Sequence, residues 1–75
     1  MNAVKLGKYR HYKGNEYEVV GIAKHTETEE SLVVYQALYG DKGLWVRPLS
    51  MFIETVLVEG VVQSRFSFVG QGNNL

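Results

Sequence analysis

Leu32-Val33-Val34-Tyr35-Gln36-Ala37-Leu38-Tyr39-Gly40-Asp41-Lys42-Gly43-Leu44-Trp45-Val46-Arg47-Pro48-Leu49-Ser50-Met51-Phe52-Ile53 is the stretch that decides the fold. Its first eight residues are dense in β-formers, and Gly40-Asp41-Lys42-Gly43 supplies turn residues between two strand-like runs. Leu44 to Arg47 then reads as the returning strand. Pro48 lacks the N–H a ladder needs, so that strand ends there. A four-residue loop sets Tyr39 opposite Leu44 and Leu38 opposite Trp45, which makes Trp45 a partly buried residue and Tyr35 a core one. Leu49-Ser50-Met51 is expected to form a short 3₁₀ turn beginning at Pro48. Phe52 to Val58 is expected to be the next strand.

Upstream, Gly14-Asn15 separates two strand-like runs and predicts a two-residue hairpin turn. That register places Lys13 opposite Glu16, Tyr12 opposite Tyr17 and His11 opposite Glu18. In the second strand, Glu16 to Lys24, Tyr17 and Val19 alternate with Glu18, and Gly21 marks a bulge or bend that curls the strand. His25 to Ser31 has no apolar residue and reads as an exposed loop. Downstream, Glu59-Gly60 turns the chain, and Val61 to Val69 reads as one irregular edge strand with Phe66 and Phe68.

Short strands at even spacing without a helical period predict an all-β domain. The expected form is a small five- to six-stranded barrel of the Src-homology-3-like type. Residues 1–6 are expected to be a flexible N-terminal arm, 7–69 a single barrel domain and 70–75 a mobile C-terminal tail.

Seventy-five residues hold one core, and a chain of this length buries only about 60% of the surface its unfolded form exposes. There is no cysteine, so neither a disulfide nor a thiolate metal site can reinforce it. Eight basic and eight acidic residues give zero net charge, which argues against non-specific nucleic-acid binding. The charges are nevertheless segregated. Lys5, Lys8, Arg10 and Lys13 precede the first acid, whereas Glu27, Glu29 and Glu30 cluster together. No apolar run approaches the length of a membrane span, and the N-terminus lacks the apolar centre of a signal peptide. A cytoplasmic location is the expectation.

Catalytic constellations are not evident. His11 and His25 are the only histidines, and a metal site needs three or four converging ligands. No serine sits in a nucleophile-exposing turn, and Gly40–Gly43 is a hairpin turn rather than a phosphate-cradling loop. The expectation is a non-catalytic protein without cofactor or metal. Tyr9, Arg10, His11, Tyr12, Tyr17, Tyr35, Tyr39, Trp45 and Arg47 are more large amphipathic side chains than so small a core absorbs, and all but Tyr17 and Tyr35 are expected to reach the surface. Tyr, Trp and Arg are enriched in binding hot spots. These seven residues are the candidate partner-binding face, for a protein or peptide in the first reading. In the alternative reading they bind RNA or single-stranded nucleic acid, with aromatics stacking on bases and Lys8, Arg10, Lys13 and Arg47 contacting phosphate. One continuous basic face around Arg10 and Arg47 would favour the second.

Gly7-Lys-Tyr-Arg-His-Tyr-Lys-Gly-Asn-Glu-Tyr-Glu-Val19, His25-Thr-Glu-Thr-Glu-Glu30, Val33-Val-Tyr-Gln-Ala-Leu-Tyr-Gly40 and Leu44-Trp-Val-Arg-Pro-Leu-Ser-Met-Phe52 together resemble domain-of-unknown-function family 1653. This is a family of small uncharacterised bacterial proteins. The resemblance covers about residues 7 to 68. It implies an all-β barrel of the Src-homology-3 type and brings no activity with it.

Overall fold

The computed structural model describes residues 4–70. Its elements are β1 (Gly7–His11), β2 (Glu16–Lys24), β3 (Ser31–Ala37), β4 (Leu44–Pro48), the one-turn helix α1 (Leu49–Phe52), β5 (Thr55–Val58), β6 (Val61–Ser64) and β7 (Phe66–Gly70). Five strands form an antiparallel sheet in the order β4-β3-β2-β1-β7, and β5 and β6 pair as a separate ribbon. The all-β expectation holds. The strands do not close into a barrel: among the described residues β4 and β7 remain the two edges of the large sheet, and neither pairs with the ribbon. Of the outer segments expected to be flexible, residues 1–3 and 71–75 lie outside the described residues. Val4 packs against the core, and the Tyr9 hydroxyl donates to the Lys5 carbonyl at 2.9 Å.

The first hairpin departs from its expected register. Arg10, not Lys13, faces Glu16, and Tyr9, not Tyr12, faces Tyr17. The loop is longer than two residues: the Gly14 N–H donates to the His11 carbonyl (2.7 Å) and the His11 N–H to the Asn15 carbonyl (2.8 Å). Gly14 takes φ +110, which a residue with a side chain rarely adopts. This is a tight turn followed by a glycine bulge. The displacement is three residues, and an odd displacement exchanges the faces of a strand. Tyr9 therefore enters the core at 7% exposure instead of standing on the surface. Arg10 goes outward and pairs with Glu16, whose carboxylate also lies 3.7 Å from Lys8 Nζ.

The β3–β4 hairpin shifts by the same amount. Gln36 rather than Tyr39 faces Leu44, and Tyr35 rather than Leu38 faces Trp45. Leu38 is not free to face β4, because its N–H donates to the Glu16 carbonyl at 3.0 Å. The loop opens to span residues 38–43, with Gly40 and Lys42 at φ +59 and +56. The shift puts Trp45 on the inner face of the sheet, opposite Tyr35, yet on an edge strand it stays 59% exposed.

Phe52 takes the place expected for Trp45. It lies on α1 rather than in a strand, is 2% exposed, and stacks on Phe66 with ring centres 4.2 Å apart and planes within 3°. The turn is α rather than 3₁₀, since the Ile53 N–H reaches back four residues to the Leu49 carbonyl at 3.1 Å. Pro48 precedes it at φ −54, the fixed angle that suits a helix start. Tyr9, Val19, Val33, Tyr35 and Phe66 complete the core around Phe52. Gly21 does mark a bulge, the register slipping between Val19 and Gly21. Glu59 and Gly60, both at positive φ, turn β5 into β6. The expected last strand is broken at Arg65, so that β6 stays with β5 while β7 joins β1.

Core position and edge position separate the two large aromatic residues of the opening stretch. Phe52→Ala should cost about 3–5 kcal/mol, the usual range for a buried Phe and comparable to the whole stability of a small domain. Trp45→Ala should shift the melting temperature by only a few degrees. Thermal melts of the two variants read the difference directly.

Candidate functional site

Cross-strand partners share a face, so the ladder shows which candidate residues meet. Tyr9, Tyr17, Val33, Tyr35, Ala37, Trp45 and Arg47 fall on the inner face through the pairs Tyr9–Tyr17, Tyr17–Ala37, Tyr35–Trp45 and Val33–Arg47. Arg10 belongs to the other face, with its neighbours Glu16 and Ser67. Arg10 and Arg47 therefore do not border one groove, and the seven candidate residues divide into three groups. Tyr9 is core. Arg10, His11 and Tyr12 line a cleft of about 420 Å3 with Gln63, Ser64, Ser67 and Phe68. Tyr39 and Trp45 line a smaller cleft of about 180 Å3 above the 38–43 loop, and Arg47 stands two residues along β4 from Trp45.

The inner face carries a connected row of polar-tipped rings. Arg47 Nε donates to the Tyr35 hydroxyl at 3.3 Å, and its guanidinium carbon sits 5.6 Å from the centre of the Phe66 ring. Tyr35 meets the edge of Tyr17 at 5.4 Å. Tyr17 in turn meets Tyr39 at 5.5 Å, and their hydroxyls share a hydrogen bond of 2.8 Å. Burial, then the Tyr39 hydrogen bond and the neighbouring phenols, push the Tyr17 hydroxyl up to about 12. Such rings present wide apolar flanks with few rotamers to lose on contact. Tyr17, Tyr35 and Phe66 were not among the sequence candidates for this site. Alternation put Tyr17 on the face of Val19, and with the correct register that face is the one Arg47 and Trp45 share.

His11 closes the other end of the row. Its ring lies 5.0 Å from Phe66 and 4.6 Å from Tyr12. Burial lowers its pKa, and the positive charges of Arg65, Arg47 and Lys13 lower it further. The Lys13 N–H donates to His11 Nδ1 at 3.1 Å, so the neutral ring carries its proton on Nε2. His25 is used alike, its Nδ1 accepting from Glu27 N–H at 3.0 Å in the β2–β3 loop. Each histidine thus stands in for the short acceptor that usually caps a tight turn. No group of three or more His, Asp or Glu side chains able to hold a metal occurs among the described residues.

The cations differ in how they are neutralised. Arg10 is bonded to Glu16 at 2.7 Å and Arg65 to Glu54 at 3.0 Å. Hydrogen bonding from Arg10, reinforced by the charge of Lys8, lowers the Glu16 pKa. Arg47 has no carboxylate partner among the described residues, and its hydrogen bond is to a neutral phenol. Lys8 and Arg10 stand on the outer face with Glu16, whereas Arg47 stands on the inner face.

Fold and surface together define a small antiparallel β domain with an aromatic row that reaches the surface at Tyr39 and one arginine at a sheet edge without a carboxylate partner among the described residues. Residues 7–68 match the model of the family described as protein of unknown function DUF1653. The chain belongs to that family. It is similar to the crystal structure of a protein belonging to DUF1653 from Bordetella bronchiseptica, at 39% identity and a TM-score of 0.85, the match covering 96% of this chain and 95% of that one. No curated protein matches the chain. Among the described residues no helix is long and apolar enough to cross a membrane.

The lowered His11 pKa has a sign. A histidine held neutral by the fold contributes stability that is complete above the unfolded value of about 6.5 and is lost as pH falls from there through the lower folded value. Protonation at Nδ1 also removes the acceptor of the Lys13 N–H. The melting temperature should therefore fall as pH drops below about 6.5. His11→Asn, which keeps a short acceptor without a titrating group, should flatten that part of the profile.

Proposed function

We propose that the protein is a non-catalytic protein- or peptide-binding module, and that the inner-face surface of Tyr39, Trp45 and Arg47 is where a partner docks. The observation that carries this reading is Trp45. The only tryptophan of the chain stands 59% exposed beside Tyr39, itself 45% exposed, and beside an arginine without a carboxylate partner among the described residues. Leaving a large aromatic surface in water opposes folding stability. Tyr, Trp and Arg together form the side-chain set that dominates binding energy at protein interfaces. Arg10 and Tyr9 have no part in this surface, because the first faces the other side of the sheet and the second is core.

The nucleic-acid alternative has weaker support. Stacking platforms work with a basic groove that tracks the phosphate backbone. Here Lys8 and Arg10 are engaged by Glu16, and Arg65 by Glu54. A neutral chain with Arg10 and Arg47 on opposite faces gives such a groove little support.

Trp45→Ala and Arg47→Ala should each leave the melting temperature within a few degrees of the parent and abolish recovery of whatever bacterial lysate protein the parent retains after nuclease treatment. Capture that disappears with nuclease would transfer the surface to the nucleic-acid reading. Capture insensitive to both substitutions would place the docking surface elsewhere.

A further inference from the structure

We infer that the free edge of β4 takes up an extended acidic peptide segment as a sixth strand of the large sheet, with a carboxylate of the segment on Arg47. The inference rests on the binding-module reading and names the kind of partner. Three features of β4 lead to it.

The first is backbone phase. The Ala37 N–H donates to the Gly43 carbonyl at 3.1 Å, and the β3–β4 register runs on without a shift to Leu32–Pro48. In an antiparallel ladder, residues alternate between turning both backbone groups to the neighbour and turning both away. Trp45 and Arg47 are therefore bonded to β3, while the N–H and C=O of Leu44 and Val46 point off the edge. Neither residue has another backbone partner among the described residues. Pro48 occupies the next outward position, where its missing N–H costs β3 nothing and ends the free edge. The edge thus offers two donor–acceptor pairs, two residues apart.

The second feature is the side chains. Edge strands are usually guarded by lysines, charges on the exposed face or shortening. Leu44 and Val46 on the outer face are instead apolar and exposed, at 66% and 58%. Trp45 stands on the inner face beside Arg47. An added strand meets these two faces with alternate side chains.

The third is charge. Arg47 uses Nε on the Tyr35 hydroxyl, which leaves its two terminal nitrogens for a carboxylate, and a guanidinium fork fits a carboxylate bidentately. No carboxylate pairs with Arg47 among the described residues, so its charge is not offset there. A lysine or arginine at that position of the segment would meet like charge. Apolar residues facing Leu44 and Val46, alternating with an acid facing Trp45 and Arg47, describe the segment.

Two blocked heptapeptides test this: valine alternating with glutamate, and valine alternating with glutamine. Titration of the 15N-labelled protein should show the glutamate peptide binding at least about tenfold more tightly, the expected worth of one charge-assisted contact. Exchange of the Leu44 and Val46 amide protons should slow in the complex. Arg47→Gln should reduce the glutamate peptide to the affinity of the glutamine peptide, and Val46→Pro, which removes an outward donor, should weaken both. Equal affinities for the two peptides would overturn the acidic preference while leaving the binding-module reading standing. Binding without protection at Leu44 and Val46, or no binding of either peptide, would overturn strand addition at β4. The nuclease-treated capture with Trp45→Ala decides the module reading separately.

Discussion

Phe52 lying flat against Phe66 is the contact on which the rest of the molecule depends. The two rings come from segments that share no sheet ladder: α1 follows β4 at one edge of the large sheet, and β7 forms the other edge. An open sheet of five strands cannot bury its own inner face. The stacked pair covers it, with Tyr9 meeting Phe52 edge-on at 5.3 Å and Tyr35 meeting both rings at under 6 Å. Each such aromatic pair is worth about 0.5–1.5 kcal/mol beyond the area it removes from water. In a chain too short for a layered aliphatic core, four rings around Val19 and Val33 supply a large share of the stabilisation.

This arrangement accounts for what could be read from the sequence. Turn chemistry is local, and Gly14, Gly21, Gly40 and Gly60 all lie at turns or bulges where expected. Loop length is not local. Gly14-Asn15 serves a two-residue turn or a longer one with a glycine bulge, and only burial of Tyr9 chooses between them. The same holds for Gly40 to Gly43, where the Leu38 N–H is retained by the Glu16 carbonyl instead of by β4. Both hairpins slipped by an odd number, so both exchanged faces. Tyr9, expected on the surface, became core, Arg10 stayed on the surface of the other face, and the site drawn from the sequence came apart at that point. Trp45, Tyr39 and Arg47 remained together because they sit around the displaced loop rather than across it.

Phe52 illustrates a different limit. The following residues Ile53 to Val58 are rich enough in β-branched side chains to extend a strand through it, and no local propensity argues otherwise. Pro48 redirects the chain first. With φ fixed near −54 it starts a single helical turn, and the side chain four residues on is swung over the sheet. The decisive residue was legible, but the rotation it imposes is a property of three dimensions.

Zero net charge turned out to describe the sum and not the surface. On the outer face, Lys8 and Arg10 share Glu16, an exposed cluster whose members screen one another. Between β6 and β7, Arg65 is bonded to Glu54. Arg47 alone, of these arginines, rests on an aromatic face and a phenol, partners that leave its charge in place. An arginine so placed is oriented without being neutralised, since the Tyr35 hydroxyl fixes one nitrogen and the Phe66 ring fixes the plane. The rigid aromatic row that builds the core therefore also aims the one cation at the sheet edge. The side chains that pack the core thus also orient the surface beside them, which is how a domain with one small core can present an ordered surface at all.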